Sequence, residues 1–291
     1  MKVLILGVSG MLGHALFTWL WGSGLDVYGS ARDVRRLEDW MPRESLGRLI
    51  GGVDALDFPT VEKAARGLRP DVLVNCVGLI RQKPEGREAL PCVEVNSRFP
   101  HLLLGLAREL GARLLHYSTD CVFDGRKGTP YDEDDFCSAR DVYGLSKYLG
   151  EISGPGALTL RTSIIGHELF GQKNSLVEWF LSSEDQVNGY TRAIYSGLPA
   201  VEQARILAQL VLPREDLSGL FQVSSAPISK HDLLGLVAEE YGKRIAIVPD
   251  DSVVDDKRLS GARFFRATGY VAPGWPWLLK NMREHHLTYG R

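Results

Sequence analysis

"KVLILGVSGMLGHALFTWLWGSG", residues 2–24, decides the fold. Val3 to Val8 run without polar alternation, as a strand does when both its faces are buried. Glycines follow at 7, 10 and 13, and an apolar helical stretch begins at Met11. In a strand–turn–helix of this kind, Gly7 permits the tight turn and Gly10 lets a pyrophosphate approach the backbone. Gly13 permits close helix–strand packing. The helix start offers free N–H groups and the positive end of its dipole. With the glycines, Ser9, Met11 and Leu12 are therefore candidate dinucleotide contacts.

Working outward, "DVYGS" (26–30) reads as a second strand and "LIGGVDAL" (49–56) as a third. Asp57 stands where it can cap the helix "PTVEKAARGL", with Pro59 in its first turn. "DVLVNCVG" (71–78) and "RLLHYST" (113–119) are further strands, separated by the helical "VEVNSRFPHLLLGLAREL". "ALTLRTSIIG" (157–166) follows a helix around Tyr143. Strand–helix alternation implies an α/β fold: a doubly wound parallel sheet with helices on both faces. After Gly166 the pattern loosens. We expect a dinucleotide-binding domain over 1–166, with elements returning near 197–225. A smaller α/β substrate lobe is expected from 167–196 and 226–291.

The 291 residues carry a net charge of −2, so no global basic field recruits nucleic acid or acidic membranes. No apolar run reaches the roughly 20 residues of a membrane helix. Cys76, Cys92, Cys121 and Cys137 show no C-x-x-C spacing, which argues against a zinc site and fits a reducing, cytoplasmic setting. A monomer or a homodimer is expected.

The end of the second strand should face the adenosine ribose, where an acid favours NAD and a guanidinium suits the 2′-phosphate of NADP. Here it reads "GSARDVRR", with Ser30 and Arg32 at the tip and Asp33, Arg35 and Arg36 close behind. NADP(H) is favoured and NAD(H) left open. Asp54, with Ala55, follows the third strand as a partner for adenine, and Cys76, Val77 and Gly78 end the fourth.

Tyr143 and Lys147 stand four apart and so share one helix face. A free phenol has a pKa of about 10, and a nearby cation lowers it. Ser118, Thr119 and Asp120 emerge at the carboxyl end of the fifth strand, where ligands sit in an open parallel sheet. Thr119 can hold a substrate carbonyl while Tyr143 protonates it, as hydride addition to a ketone requires. Lys147 would lower the Tyr143 pKa and bind the nicotinamide ribose.

"GVSGMLG", "VNCVG", "VNS", "STDCVFDG", "YGLSKYLGE" and "LRTSIIG" stand in the order that resembles extended short-chain dehydrogenases/reductases. More narrowly they look like the dTDP-4-dehydrorhamnose reductase group, closely over 1–166. The resemblance implies a Rossmann domain and NADPH-dependent reduction of a 4-keto-6-deoxy sugar carried on a nucleotide. It implies catalytic roles for Thr119, Tyr143 and Lys147, a cofactor contact at Asn96, and sugar contacts at Ile80, Asp120, Cys121, Ile164 and Asn174. Cys121 stands where that group commonly has Tyr, and Ile164 where it commonly has an aromatic, so the sugar pocket should be more open. Cys121 also matches in position a proton-moving cysteine of sugar epimerase–reductases. A sugar epimerase or dehydratase with tightly held NAD, and a non-catalytic NADP-binding regulatory subunit, are the rival readings.

Pro100 has no N–H, so the Asn96 carbonyl loses its helix donor; we expect that carbonyl to bind a water reaching Lys147. His116 reads as a packed core residue, His285 and His286 as solvent-facing, and Trp275 and Trp277 as packing. Arg192 and Arg263 are candidates for meeting a diphosphate.

Overall fold

Strand β1 (Lys2–Leu6) has almost no solvent contact, and its side chains serve two cores. Val3 and Ile5 pack into one apolar layer with Leu16 and Phe17. Leu4 and Leu6 pack into the other with Leu73, Leu103 and Leu114. The period of two is present but hidden, because both faces meet helices.

The computed structural model describes residues 1–171 and 173–290. After β1 come helix α1 (Met11–Gly22), β2 (Asp26–Ser30), β3 (Leu49–Ile50), α2 (Phe58–Leu68) and β4 (Val72–Asn75). Helix α3 runs over 89–110, then β5 (Arg113–Thr119), α4 (Val142–Leu149) and β6 (Ala157–Thr162). With the edge strand Gly219–Gln222 these strands form a seven-stranded sheet. Its order is edge–β6–β5–β4–β1–β2–β3, parallel throughout. The chain moves outward from β1 to β3, returns through α2, and moves outward again from β4. The order therefore reverses between β1 and β4, where ligands bind in such sheets. All carboxyl ends share one rim, so the turns after β1, β4 and β5 are neighbours.

Leu103 and Leu106 of α3, with Val61 and Ala65 of α2, cover one face. On the other lie α1, the helix Ala200–Ile206 and the helix Trp275–Tyr289. Smaller pairings build the lobe: Ala193–Tyr195 lies between Ile228–Ser229 and Asp255–Asp256, and Val187–Tyr190 pairs with Ile247–Asp250.

Three expectations need correction. The third strand stops at Ile50, because Gly52, at φ +72°, turns the chain back toward Arg32. Asp57 is the N-cap residue of α2 but its carboxylate caps nothing. The Thr60 hydroxyl instead donates to the Asp57 carbonyl (2.6 Å) and accepts from the Asp54 N–H (2.9 Å). His285 and His286 are not solvent-facing: His285 bonds Thr18 of α1 (3.0 Å), and His286 stacks on His167 at 3.6 Å between ring centres. The Trp275–Tyr289 helix is wedged between neighbours, so adjacent residues on it find different partners.

Candidate active site

The glycine turn is built from the backbone. Gly7 adopts φ +89°, and its N–H and that of Val8 donate to the Ser30 carbonyl (2.9 and 3.1 Å). A Cβ at Gly13 would run into the Gly7 carbonyl, so packing alone requires that glycine. At Gly10 a Cβ would lie 3.5 Å from the Gly7 oxygen, an ordinary contact, and the residue is exposed. The fold does not need Gly10 bare, whereas a phosphate approaching the turn does. Gly10 caps α1 with no side chain, and no acid occupies the first turn, which leaves an anion-receptive helix start at Met11 and Leu12. Exposed Ser9 flanks it. The turn fits a dinucleotide pyrophosphate.

Around it, Arg32 is exposed at the tip of β2, while Asp33 is paired with Arg35 at 3.1 Å, which holds its carboxyl below the usual range. The Ser30 side chain is fully buried. Half-buried Asp54 accepts from the Leu56 N–H (3.0 Å), with half-buried Ala55 between. Half-buried Cys76 and Val77 lead to exposed Gly78, where a Cβ would lie 3.3 Å from Asn96 Oδ1 and 3.9 Å from Lys147 Nζ.

Buried Asn96 ties this turn to the next element. Its Oδ1 accepts from the Leu79 N–H (2.9 Å), and its Nδ2 donates to the Leu79 carbonyl (3.2 Å) and the Ser146 hydroxyl (3.1 Å). Helix α3 opens into a π-turn over Val93–Arg98, just before Pro100. The Asn96 carbonyl is directed at the Cα of Gly150, where a Cβ would collide with it. The expected water acceptor is thus covered by Gly150, in a Cα–H···O contact.

Tyr143 and Lys147 lie one turn apart on α4, beside Thr119. Buried Lys147 donates to the Tyr117 carbonyl (2.7 Å), and burial lowers its pKa to about 8, opposed by the Glu151 carboxylate. Glu151 is itself held by Arg161 (2.9 and 2.6 Å) and by the Ser118 hydroxyl (2.6 Å). The Tyr143 phenol is raised by burial, and further by Cys121, while the Thr119 hydroxyl and the Arg81 charge oppose this. Arg81 thus brings a cation to the phenol beside the Lys147 to which the sequence pointed. Asp120 is raised by burial and opposed by Lys257, and the Cys121 thiol is pushed up to about 12 by burial and Asp120.

Arg81, Lys257 and Glu151 were given no role from the sequence. Glu151 was legible, since it follows Lys147 by four, but Arg81 and Lys257 come from a loop and from the lobe without any motif. Exposed Ile80 precedes Arg81, and half-buried Ile164 pairs with Leu198. Half-buried Asn174 precedes the helix Leu176–Ser182. Arg263 is engaged by Glu133 and Asp134, and Arg192 is exposed. His116 is buried against Asn75 (3.0 Å). Trp275 is buried and donates to the Ala226 carbonyl, whereas Trp277 is exposed.

The family model described as RmlD substrate binding domain matches residues 1–247. The chain belongs to that family. A dTDP-4-dehydrorhamnose reductase of Salmonella typhimurium is 29% identical over 261 residues, 78% of this chain and 84% of the relative. Another protein of that name, from Burkholderia thailandensis, is 32% identical over 168 residues, 56% of this chain. The chain spans about half the length of the Burkholderia relative, 50%. Among solved structures, a dTDP-4-dehydrorhamnose reductase of Clostridium acetobutylicum shares the fold at TM-score 0.79 and 22% identity. That match covers 98% of this chain and 99% of that one. No helix among the described residues is long and apolar enough to cross a membrane.

Proposed function

We propose that this chain is an NADPH-dependent reductase of the 4-keto group of a nucleotide-linked 4-keto-6-deoxy sugar, serving deoxysugar and polysaccharide synthesis. The observation that carries the reading is the convergence of Thr119 and Tyr143 with buried Lys147 on the rim that holds the bare glycine turn. The family match and the names of the Salmonella and Burkholderia relatives support the sugar class.

Gly7, Ser9, Gly10, Met11, Leu12 and Gly13 would hold the pyrophosphate, and Arg32 the 2′-phosphate. The engagement of Asp33 by Arg35 supports NADP(H) over NAD(H). When bound, NADPH supplies the hydride. Thr119 orients the carbonyl oxygen, and Tyr143 gives it a proton as negative charge develops there. Lys147 holds the rim through Tyr117. Ile80, Asp120, Cys121, Ile164 and Asn174 would line the sugar side, in a lobe made of 167–196 and 226–291. The free cysteines suit the cytoplasm.

The protonated state of Cys121 favours reduction over epimerisation, which asks a thiolate to act beside the ketone. The test follows loss of NADPH absorbance with dTDP-, UDP- and GDP-linked 4-keto-6-deoxy sugars. Turnover with one panel member is expected, and none with Tyr143→Phe, which should bind NADPH normally. Full activity of Tyr143→Phe would refute the proton donor. NADPH binding without turnover on any sugar would refute the reductase.

A further inference from the structure

Arg81 lies on the loop that leaves β4, and its guanidinium sits over the Tyr143 ring, 5.8 Å from the ring centre. It does not hang free. Its Nη2 donates to Asp141 Oδ2 at 2.9 Å, and the other Asp141 oxygen caps α4 by accepting from the Gly144 N–H (3.1 Å). The Arg81 carbonyl accepts from Arg87 Nε (3.1 Å), and two residues earlier Asn96 clamps Leu79 by both its N–H and its carbonyl. The loop and the first turn of α4 are thus locked at two points, with the guanidinium between them. Lys147, meanwhile, spends a donor on the Tyr117 carbonyl.

We infer that Arg81 is a positioning residue for proton transfer: anchored by Asp141, it stabilises the phenolate that forms when Tyr143 gives up its proton. The inference rests on the reductase reading above. The O–H bond of Tyr143 breaks, its proton joins the carbonyl oxygen as the carbon takes up a hydride, and the phenolate regains a proton from solvent. Thr119, Asp120 and Cys121 from the end of β5 and Arg81 from the loop after β4 face the phenol, with Lys147 one turn along α4. Arg81 brings a positive charge to the phenol, and Asp120 and Cys121 act against ionisation. Without Arg81 the phenolate would lose a cation held over its own ring. A guanidinium also keeps its charge at any working pH, whereas burial brings Lys147 near its titration range.

Arg81→Met removes the charge and keeps much of the stem, and both Arg81 and Asp141 are half-exposed, so the variant should fold. We expect unchanged NADPH affinity and ketone KM, with kcat down about tenfold. The limb of the pH profile that belongs to Tyr143 should move up by about one unit, the equivalent shift in phenolate stability. Arg81→Lys should restore part of both, and Asp141→Asn, which keeps a capping oxygen, should repeat the change more weakly. A raised KM with an unmoved pH limb would overturn the inference and make Arg81 a substrate anchor. An unaltered Arg81→Met would overturn it too, while Tyr143→Phe separately judges the function.

A second readout needs no turnover. A polyfluorinated tyrosine at position 143 titrates at lower pH, and its fluorine resonance reports ionisation directly. Its midpoint should rise in the Arg81→Met background. An unchanged midpoint would sink the inference even if no sugar is ever reduced.

Discussion

Gly10 and Gly13 look alike in the sequence and differ in what they are for. Gly13 is bare because the Gly7 carbonyl occupies the space of a side chain, and Gly10 is bare with room to spare. Gly13→Ala should therefore cost about 1–3 kcal/mol of stability, as overpacking does, and lower the melting temperature. Gly10→Ala should melt as the parent does and lose NADPH affinity. Calorimetry and a cofactor titration on the two variants separate the roles. Residue chemistry that depends on spacing along the chain was legible: the three glycines, and Tyr143 with Lys147. Arg81 was not, because it lies 60 residues before Asp141 in a stretch with no period, and only the fold brings the two together.

Among elements, the pairing of α3 with α4 matters most. The π-turn before Pro100 widens α3 where Asn96 reaches across to Leu79 and Ser146, and Gly150 lets α4 come to rest against the Asn96 carbonyl. Gly150→Ala should push the helices apart, lowering stability by about 1–3 kcal/mol. Because α4 carries Tyr143 and Lys147, turnover should fall as well, to a greater degree than NADPH binding. Denaturant unfolding beside steady-state kinetics checks both. The strands were readable from their apolar runs, and the π-turn was not. Pro100 signals a missing hydrogen bond but not how the helix absorbs the loss, which depends on what lies across from it.

Across the whole molecule, the Trp275–Tyr289 helix brings half-buried His285 and His286 against His14 and His167. His14 and His285 face each other edge-on, and burial lowers the pKa of each. His285 falls to about 3 and His286 to about 4. The unfolded chain takes up these protons near pH 6.5 and the folded chain does not, so stability is full above that pH. It is lost progressively as pH falls from about 6.5 toward 4. Chemical denaturation across that range should show the decline, and a His285→Gln/His286→Gln protein should show a shallower one between pH 6.5 and 5. The two histidines were misread because the helix sequence does not say that it is enclosed on more than one side.

The same helix braces α1: His285 bonds Thr18, and the Tyr289 hydroxyl lies against Gly22. The turn that would receive a dinucleotide precedes its brace by most of the sequence. On the ribosome, the glycine turn would emerge long before the helix that steadies it. Cofactor capture would then wait for that helix to emerge, and premature termination between the turn and Trp275 would forfeit a groove whose own residues were all present.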